Sequence, residues 1–352
     1  MRIVDVNASK AYKVYIGKGI ASSCAEIVKP FCKGSKALII SDSNVAPLYA
    51  DMVKANLEAA GIDTCVFTIP AGEESKTPEN LVKAMECCID AELTRSDVIV
   101  SLGGGVVTDL GGLCGALYQR GINVVQMPTS LLAMVDASVG GKTAVNLNKG
   151  KNMFGAFSQP VAVICDTQML SSLPEPEFSC GMAEVVKYAV LKGGRLSELL
   201  NLDINENIDE VVEECVKIKR DYVCADEFDK GERQFLNLGH TIGHAVERVS
   251  KLSVSHGSAV AIGMCIMARA CKVLGFCDEA TPLQIEALCK KYGLPISSSW
   301  DYNMLYEASL ADKKRQGDKI TLVMVRGMGD CFLHTVPKEF LQEIIEKGDS
   351  EE

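Results

Sequence analysis

The chain has 352 residues, 47% of them hydrophobic and 23% charged, which is enough apolar material for two packed domains rather than one. Its formal net charge of −10 excludes nucleic acid and anionic membranes as main partners, so an anionic ligand would need a local cationic pocket. The opening MRIVDVNASK lacks the apolar core of a signal peptide. Val98 to Tyr118 is poor in charge, but six glycines and Asp109 within it argue against a membrane span. The fifteen cysteines are scattered, with no CxxC pair and one adjacent pair, Cys87-Cys88. An odd count without a framework fits buried thiols in a reducing cytoplasm better than disulfides.

Along the first half, short β-branched runs alternate with helical patterns. Lys36 to Ile40 runs into the polar turn Ser41-Asp-Ser-Asn44, and Thr64 to Thr68 leads into Pro70 to Lys76. Asp97 to Ser101 leads into glycines, Asn123 to Gln126 into Pro128-Thr-Ser130, and Val161 to Ile164 into Cys165-Asp166. Strands spaced by helices predict an α/β domain with a parallel sheet covered on both faces. From about Leu173 the texture changes to long helical periodicities, as in Ile208 to Val223 and Arg233 to Ser250. The prolines of Leu173-Pro-Glu-Pro-Glu177 interrupt both patterns and predict a boundary there, with domains at 1–173 and 174–352, the second all-helical. The acidic end, Gly348 to Glu352, reads as a frayed tail.

Gly103-Gly-Gly-Val-Val-Thr-Asp109 follows a strand pattern and opens a helical one. Glycines there let backbone amides approach a phosphate at the positive end of a helix. The run is not GxGxxG, so the usual dinucleotide fingerprint is absent, and alone it reads equally well as a tight turn. Asp42, Glu73, Lys76 and Thr129-Ser130, at neighbouring strand ends, could complete a nucleotide site at the carboxyl edge of the sheet.

Only four histidines exist, and His240, His244 and His256 fall within seventeen residues. On one continuous helix, Arg233, Asn237, His240 and His244 would share a face, spaced 4, 3 and 4 apart among apolar neighbours. A solvated helix face would carry Lys and Glu instead. A buried polar stripe requires a ligand or a metal to satisfy it. Two histidines with one carboxylate and an open position is a common catalytic zinc arrangement, and Glu184 in GMAEVVK supplies a candidate carboxylate. Lys187 lies three positions on, over the same face. The HxxxH spacing lacks the internal glutamate of a metalloprotease motif.

Ser138-Val-Gly-Gly-Lys-Thr143 has the end of a phosphate loop but not its first glycine, since Met134 or Val135 stands in that region. Lys142, Lys151 with Asn152, Lys187, Lys219 and Arg233 nevertheless crowd the glycine and histidine motifs. In so acidic a chain they predict a pocket for a dianion and a second anionic group.

These motifs carry a resemblance. The run GGGVVTDLGGLCGALYQRGINVVQMPTSLLAMVDASVGGKTAVNLNKGKNMFGAFSQP, with GMAEVVKY and ERQFLNLGHTIGHAVE, resembles the 3-dehydroquinate synthases, and similarity extends from about Ser41 to Gly329. The resemblance implies a Rossmann-like NAD domain followed by a helical domain carrying Zn²⁺ or Co²⁺. It implies metal ligands Glu184, His240 and His256, with His244 acting in acid-base or phosphate interactions instead. It implies NAD contacts from Asp42, Asn44, Glu73, Lys76, Gly104, Gly105, Val106, Asp109, Thr129, Ser130, Lys142, Lys151 and the stretch Met169, Leu170, Ser171, Ser172. Substrate contacts would come from Asp136, Lys142, Lys151, Asn152, Lys187, Lys219, Arg233 and Asn237. Arg120 resembles the arginine that reaches into a neighbouring subunit's site, which implies a homodimer. The pair Lys313-Lys314 matches a late lysine motif without showing which member meets substrate. Asp229 stands where the family usually has glutamate, Glu232 replaces a leucine and Met134 a glutamine; the first puts any proton-transfer role there in doubt.

The implied reaction is conversion of 3-deoxy-D-arabino-heptulosonate 7-phosphate, a phosphorylated sugar acid, into 3-dehydroquinate and phosphate. Its steps are transient oxidation by NAD, β-elimination of phosphate, reduction, ring opening and intramolecular aldol closure, the second stage of the shikimate pathway to chorismate and aromatic amino acids. A metal-dependent polyol dehydrogenase is the nearest rival and has no use for so many cations. For another sugar phosphate cyclase, such as 2-deoxy-scyllo-inosose synthase, the combination of Arg233 with Asn237 is less apt, since it favours a carboxylate-bearing substrate.

Overall fold

A computed structural model describes residues 1–251, 253–311 and 318–349. The chain divides into two compact units: residues 1–174 with 208–228, and residues 175–207 with 229–352. The first begins with the hairpin β1 (Arg2–Asn7) and β2 (Ala11–Gly17), followed by α1 (Cys24–Val28), β3 (Lys36–Asp42), α2 (Ala46–Ala59) and β4 (Asp63–Ile69). It continues through α3 (Pro78–Asp90), β5 (Val98–Gly103), α4 (Gly105–Leu117), β6 (Asn123–Pro128), the hairpin β7 (Lys142–Leu147) and β8 (Gly150–Phe157), and β9 (Ala162–Asp166).

Seven strands form one sheet in the order β1-β2-β9-β6-β5-β3-β4, parallel except for the β1–β2 pair. Strands β5 and β9 are buried along their whole length, as expected where helices cover both faces. The pleat sends successive side chains to opposite cores. Ala37, Ile39, Val98 and Val100 pack with α2 residues Val53 and Leu57 on one face. Leu38, Ile40 and Ile99 pack with Leu81 of α3 and with Val107 and Leu110 of α4 on the other. The edge hairpin β1–β2 and the separate hairpin β7–β8 carry no β-branched run as dense as those of β3 and β5, and sequence patterning alone did not announce them.

The second unit holds α5 (Glu175–Lys192) and α6 (Gly194–Leu199); α7 (Ile208–Ala225) returns to the first unit, where it packs on β1 and β2. The division therefore does not fall at one point near residue 173, because the apolar face of α7, with Val211, Val212, Cys215 and Val216 buried, is used by the sheet domain. After α7 come α8 (His240–Val249), α9 (His256–Val273), α10 (Ala280–Lys291), α11 (Tyr302–Ala311), the strands β10 (Lys319–Gly327) and β11 (Asp330–Pro337), and α12 (Glu339–Asp349). The antiparallel β10–β11 pair corrects the expectation of an all-helical domain. Of the expected frayed tail, Gly348 and Asp349 instead belong to α12, with Gly348 buried against the Ile266 backbone of α9, while residues 350–352 lie outside the described residues. Lys313 and Lys314 lie outside the described residues.

Candidate metal centre and nucleotide face

The helix predicted from Arg233 to Ser250 is broken. Glu232–Asn237 forms a 3₁₀ turn, and Gly239 takes φ 75 before α8 begins at His240. A side chain at Gly239 would suffer that left-handed strain and also meet the Val260 carbonyl oxygen of α9 at 2.6 Å. The break separates Arg233 and Asn237 from the α8 face: Arg233 is buried at 2% exposure, whereas Asn237 and His244 are exposed. Only His240 and His244 remain as neighbours on one helix, their rings 5.6 Å apart.

Glu184 sits on α5 and is fully buried. Its Oε2 pairs with Lys187 Nζ one turn on, also buried. Its Oε1 faces two imidazoles, His240 Nε2 at 3.6 Å and His256 Nε2 at 3.5 Å. His256 is the first residue of α9, and Gly257 behind it lets the helix start lie directly on α5. A Cβ there would stand 2.2 Å from the Cys180 carbonyl oxygen, one turn before Glu184. His240 Nδ1 stands 3.1 Å from the Leu238 carbonyl, which favours the tautomer with Nε2 unprotonated. Burial, then the charge of Lys187, lowers the His240 pKa to about 3, so its ring is neutral at physiological pH. Burial opposes a charge on His256 too, but hydrogen bonds and charges of Glu184 and Glu247 outweigh it and raise the pKa to about 9.

One ligand atom from each of Glu184, His240 and His256 lies within 4.8 Å of the others. Ligands about 2.0–2.2 Å from a shared tetrahedral ion stand roughly 3.3–3.6 Å apart, so the separations from Glu184 Oε1 suit a zinc-sized ion. The donor set also suits it, with two imidazoles and a carboxylate oxygen. Glu247, whose Oε1 stands 3.5 Å from His256 Nδ1, adjoins this group, and the sequence reading passed it over. The signal was available, since it stands seven residues after His240 and so on the same face of α8. The fourth histidine, His334, lies on β11 beside Phe276, Phe332 and Phe340 instead.

In the first unit the candidate nucleotide residues follow the carboxyl ends of β3, β4, β5, β6 and β9. Asp42 Oδ1 accepts from the amides of Asn44 and Val45, closing the turn after β3. Gly104 and Gly105 form the β5–α4 turn, where a Cβ would meet Ser130, Ala137 and Leu132 at ordinary contact distance. Val106 follows in the first turn of α4, half-buried. Thr129 donates its backbone N–H to the Gly103 carbonyl, which ties the ends of β5 and β6 together. Met169, Leu170, Ser171 and Ser172 form a 3₁₀ turn after β9, and Ser172 Oγ meets Tyr49 Oη at 2.6 Å.

Lys76, 3% exposed, donates to Asp109 Oδ2 at 2.5 Å and to Asn152 Oδ1 at 2.6 Å. Burial raises the Asp109 pKa, and Lys76 works against that shift. Asn146 bridges the same network, donating to Glu73 and accepting from the Asn152 amide; no motif had pointed to it. Lys151 Nζ stands 3.9 Å from Glu73, while Lys142 is exposed at the start of β7. Lys219 of α7, nearly buried, meets both Asp136 Oδ1 at 2.9 Å and the Asp136 carbonyl in a turn of π-helix. Arg120 is exposed, and both it and Gln119 hold positive φ, 69 and 48.

Two family models match adjoining stretches of the chain, 3-dehydroquinate synthase N-terminal over residues 66–180 and 3-dehydroquinate synthase C-terminal over residues 181–315. The 3-dehydroquinate synthase of Streptococcus sanguinis is 41% identical over 344 residues, covering 96% of this chain and 97% of that protein. Among solved structures, 2-deoxy-scyllo-inosose synthase, complexed with carbaglucose-6-phosphate, NAD⁺ and Co²⁺, superposes with a TM-score of 0.87 at 24% identity over 99% of this chain and 100% of that one. The 2-epi-5-epi-valiolone synthase of Streptomyces hygroscopicus subsp. jinggangensis 5008, with NAD⁺ and Zn²⁺, gives 0.86 at 24% identity over 99% of each. At that identity these two likenesses concern the fold.

Proposed function

The chain belongs to the 3-dehydroquinate synthase family, and we propose that it converts 3-deoxy-D-arabino-heptulosonate 7-phosphate into 3-dehydroquinate and phosphate, the second step of the shikimate pathway. The observation that carries this reading at the level of chemistry is the buried group Glu184, His240 and His256 with Lys187 beside it. We assign zinc or cobalt to that group. NAD is assigned to the strand-end residues Asp42, Asn44, Glu73, Lys76, Gly104 to Val106, Asp109, Thr129, Ser130 and Met169 to Ser172. Bound there, the ion would lower the pKa of substrate hydroxyls and polarise a ketone, while the nicotinamide would accept a hydride and return it.

The remaining work falls to the chain's own side chains. Arg233, buried and permanently charged, suits a bidentate hold on the substrate carboxylate, and Asn237 adds a directional amide. Lys187 keeps one oxygen of Glu184 engaged and brings positive charge to the metal group. His244, exposed one turn after His240, takes the acid-base or phosphate role. Lys142, Lys151, Asn152, Asp136 and Lys219 are the substrate contacts proposed in the first unit. Holding one substrate by two anionic ends through successive steps lowers the entropy loss of each later step.

We propose a homodimer and a cytoplasmic location. For the first, Met153, Phe154, Phe157 and Phe228 are 40–63% exposed and offer apolar surface beside the hairpin β7–β8, while Arg120 stands out on a strained turn. For the second, all fifteen cysteines are free thiols. No described helix is long and apolar enough to cross a membrane.

The deciding experiment is phosphate release from the heptulosonate 7-phosphate by purified protein, with and without NAD and Zn²⁺ or Co²⁺. Release that needs catalytic NAD supports the assignment. Absence of release with both present overturns it, and net NADH formation on glycerol would indicate a polyol dehydrogenase instead.

A further inference from the structure

His240 and His256 approach Glu184 in the same way. Each turns Nε2 towards Oε1 of Glu184, at 3.6 and 3.5 Å. Each also has an acceptor at Nδ1, and there the two differ. For His240 it is the Leu238 carbonyl at 3.1 Å. For His256 it is a carboxylate, Glu247 Oε1, at 3.5 Å. Glu247 is 5% exposed on the inner side of α8, where it packs against α9. A carboxylate held that deep needs compensating partners, and the His256 ring is one of them.

The charge balance gives the burial a purpose. Lys187 offsets the charge of Glu184, so these two groups together present no net attraction to a divalent cation. His256 opens α9, and the positive end of a helix disfavours a cation nearby. Glu247 supplies the missing negative charge one imidazole away, where it does not occupy an ion's coordination position. A ligand histidine anchored through its second nitrogen on a carboxylate is also oriented, held in one tautomer and made a stronger donor.

We propose that Glu247 is a positioning residue for the metal centre: it accepts the Nδ1–H of His256, fixes the tautomer that leaves Nε2 to the ion, and balances Lys187. The inference rests on the metal assignment made above for Glu184, His240 and His256.

The test uses the full-length protein stripped with a chelator. Zinc affinity is measured by competition with a chromophoric chelator, and the site is read separately from the visible bands of the Co²⁺ form. Replacing Glu247→Ala raises the zinc dissociation constant about 10–100-fold and shifts the cobalt bands. Replacing Glu247→Gln keeps an acceptor oxygen and the side-chain size, so the bands stay near those of wild type while affinity falls several-fold through loss of charge. Melting of the stripped proteins reports any loss of packing, which by itself does not move the cobalt bands. Should the alanine variant fail to fold, the glutamine variant decides. Zinc affinity within twofold of wild type in a folded variant, alanine or glutamine, overturns the role. A wild-type chain that binds no ion overturns the metal assignment and this inference with it, whereas wild-type binding with indifferent variants overturns this inference alone.

Discussion

Lys187 holds Oε2 of Glu184 from one turn further along α5, so the carboxylate offers a single oxygen, Oε1, to His240 and His256. A glutamate that grips an ion through both oxygens is a different ligand from one that shares itself with a lysine. The shared form leaves room in the ion's coordination shell and keeps a cation close to wherever negative charge develops.

Removing that cation exposes the cost of the arrangement. Lys187→Met leaves a buried carboxylate with protonated His256 as its remaining cation, so the metal-stripped protein should lose stability near or below the low end of about 3–5 kcal/mol. Zinc should restore part of it by supplying positive charge at the other oxygen. Denaturant unfolding of the variant with and without zinc measures both terms; identical loss in the two forms contradicts the shared-carboxylate picture.

The two ligand histidines give the stripped protein opposite pH dependences on either side of their ordinary pKa of 6.5. The fold keeps His240 neutral down to about pH 3, so the unfolded chain binds an extra proton and stability falls as pH drops below 6.5. The fold keeps His256 protonated up to about pH 9, so its contribution is complete below 6.5 and is lost as pH rises towards 9. Together they place a stability maximum near 6.5. Zinc takes the place of the His256 proton, and the alkaline limb should disappear in the loaded form. Melting curves at about pH 5, 6.5 and 8.5 check this, and a stripped protein equally stable at the two higher values contradicts it.

In the first unit, Asp109→Asn removes the charge that holds Lys76, leaving a nearly buried ammonium on amide partners. Because Asp109 keeps some exposure, at 17% of its side chain, the loss should sit near or below the low end of about 3–5 kcal/mol. If this network forms part of the NAD site, the NAD dissociation constant should rise at least about tenfold, or about 1.4 kcal/mol. Calorimetric titration with NAD reads it directly. Unchanged affinity in a folded variant removes Lys76 and Asp109 from the proposed nucleotide contacts.

Arg233→Ala should lower kcat/KM by about 2–5 kcal/mol through loss of a buried charged contact to substrate, at least roughly thirtyfold in rate. Zinc content should stay at its wild-type level, because Arg233 lies on the 3₁₀ turn before Gly239 and not on α8 with the ligand. Elemental analysis beside the kinetics separates the two. Parallel loss of metal and activity would place Arg233 in the metal group after all.

What the sequence determined by itself is the chemistry on offer and the class of fold. The dense β-branched runs around Leu38, Ile99 and Val163, bounded by turn residues, read as strands buried on both faces, and three clustered histidines together with the glutamate of GMAEVVK restrict the metal reading to few candidates. Local pattern carries such facts because strand period and ligand type are properties of near neighbours. Tertiary structure alone decided the rest. The Arg233–His244 stripe looked continuous because spacing cannot register a left-handed residue, and only the contact of Gly239 with the Val260 carbonyl shows why the helix must restart at His240. The helix α7 joined the sheet domain because its apolar face finds β1 and β2, strands separated from it by about two hundred residues of chain. Glu247 acquired a role only when α8 and α9 packed, bringing its carboxylate to the far nitrogen of His256. Which groups meet across such separations is fixed by packing between elements, and no local pattern records it.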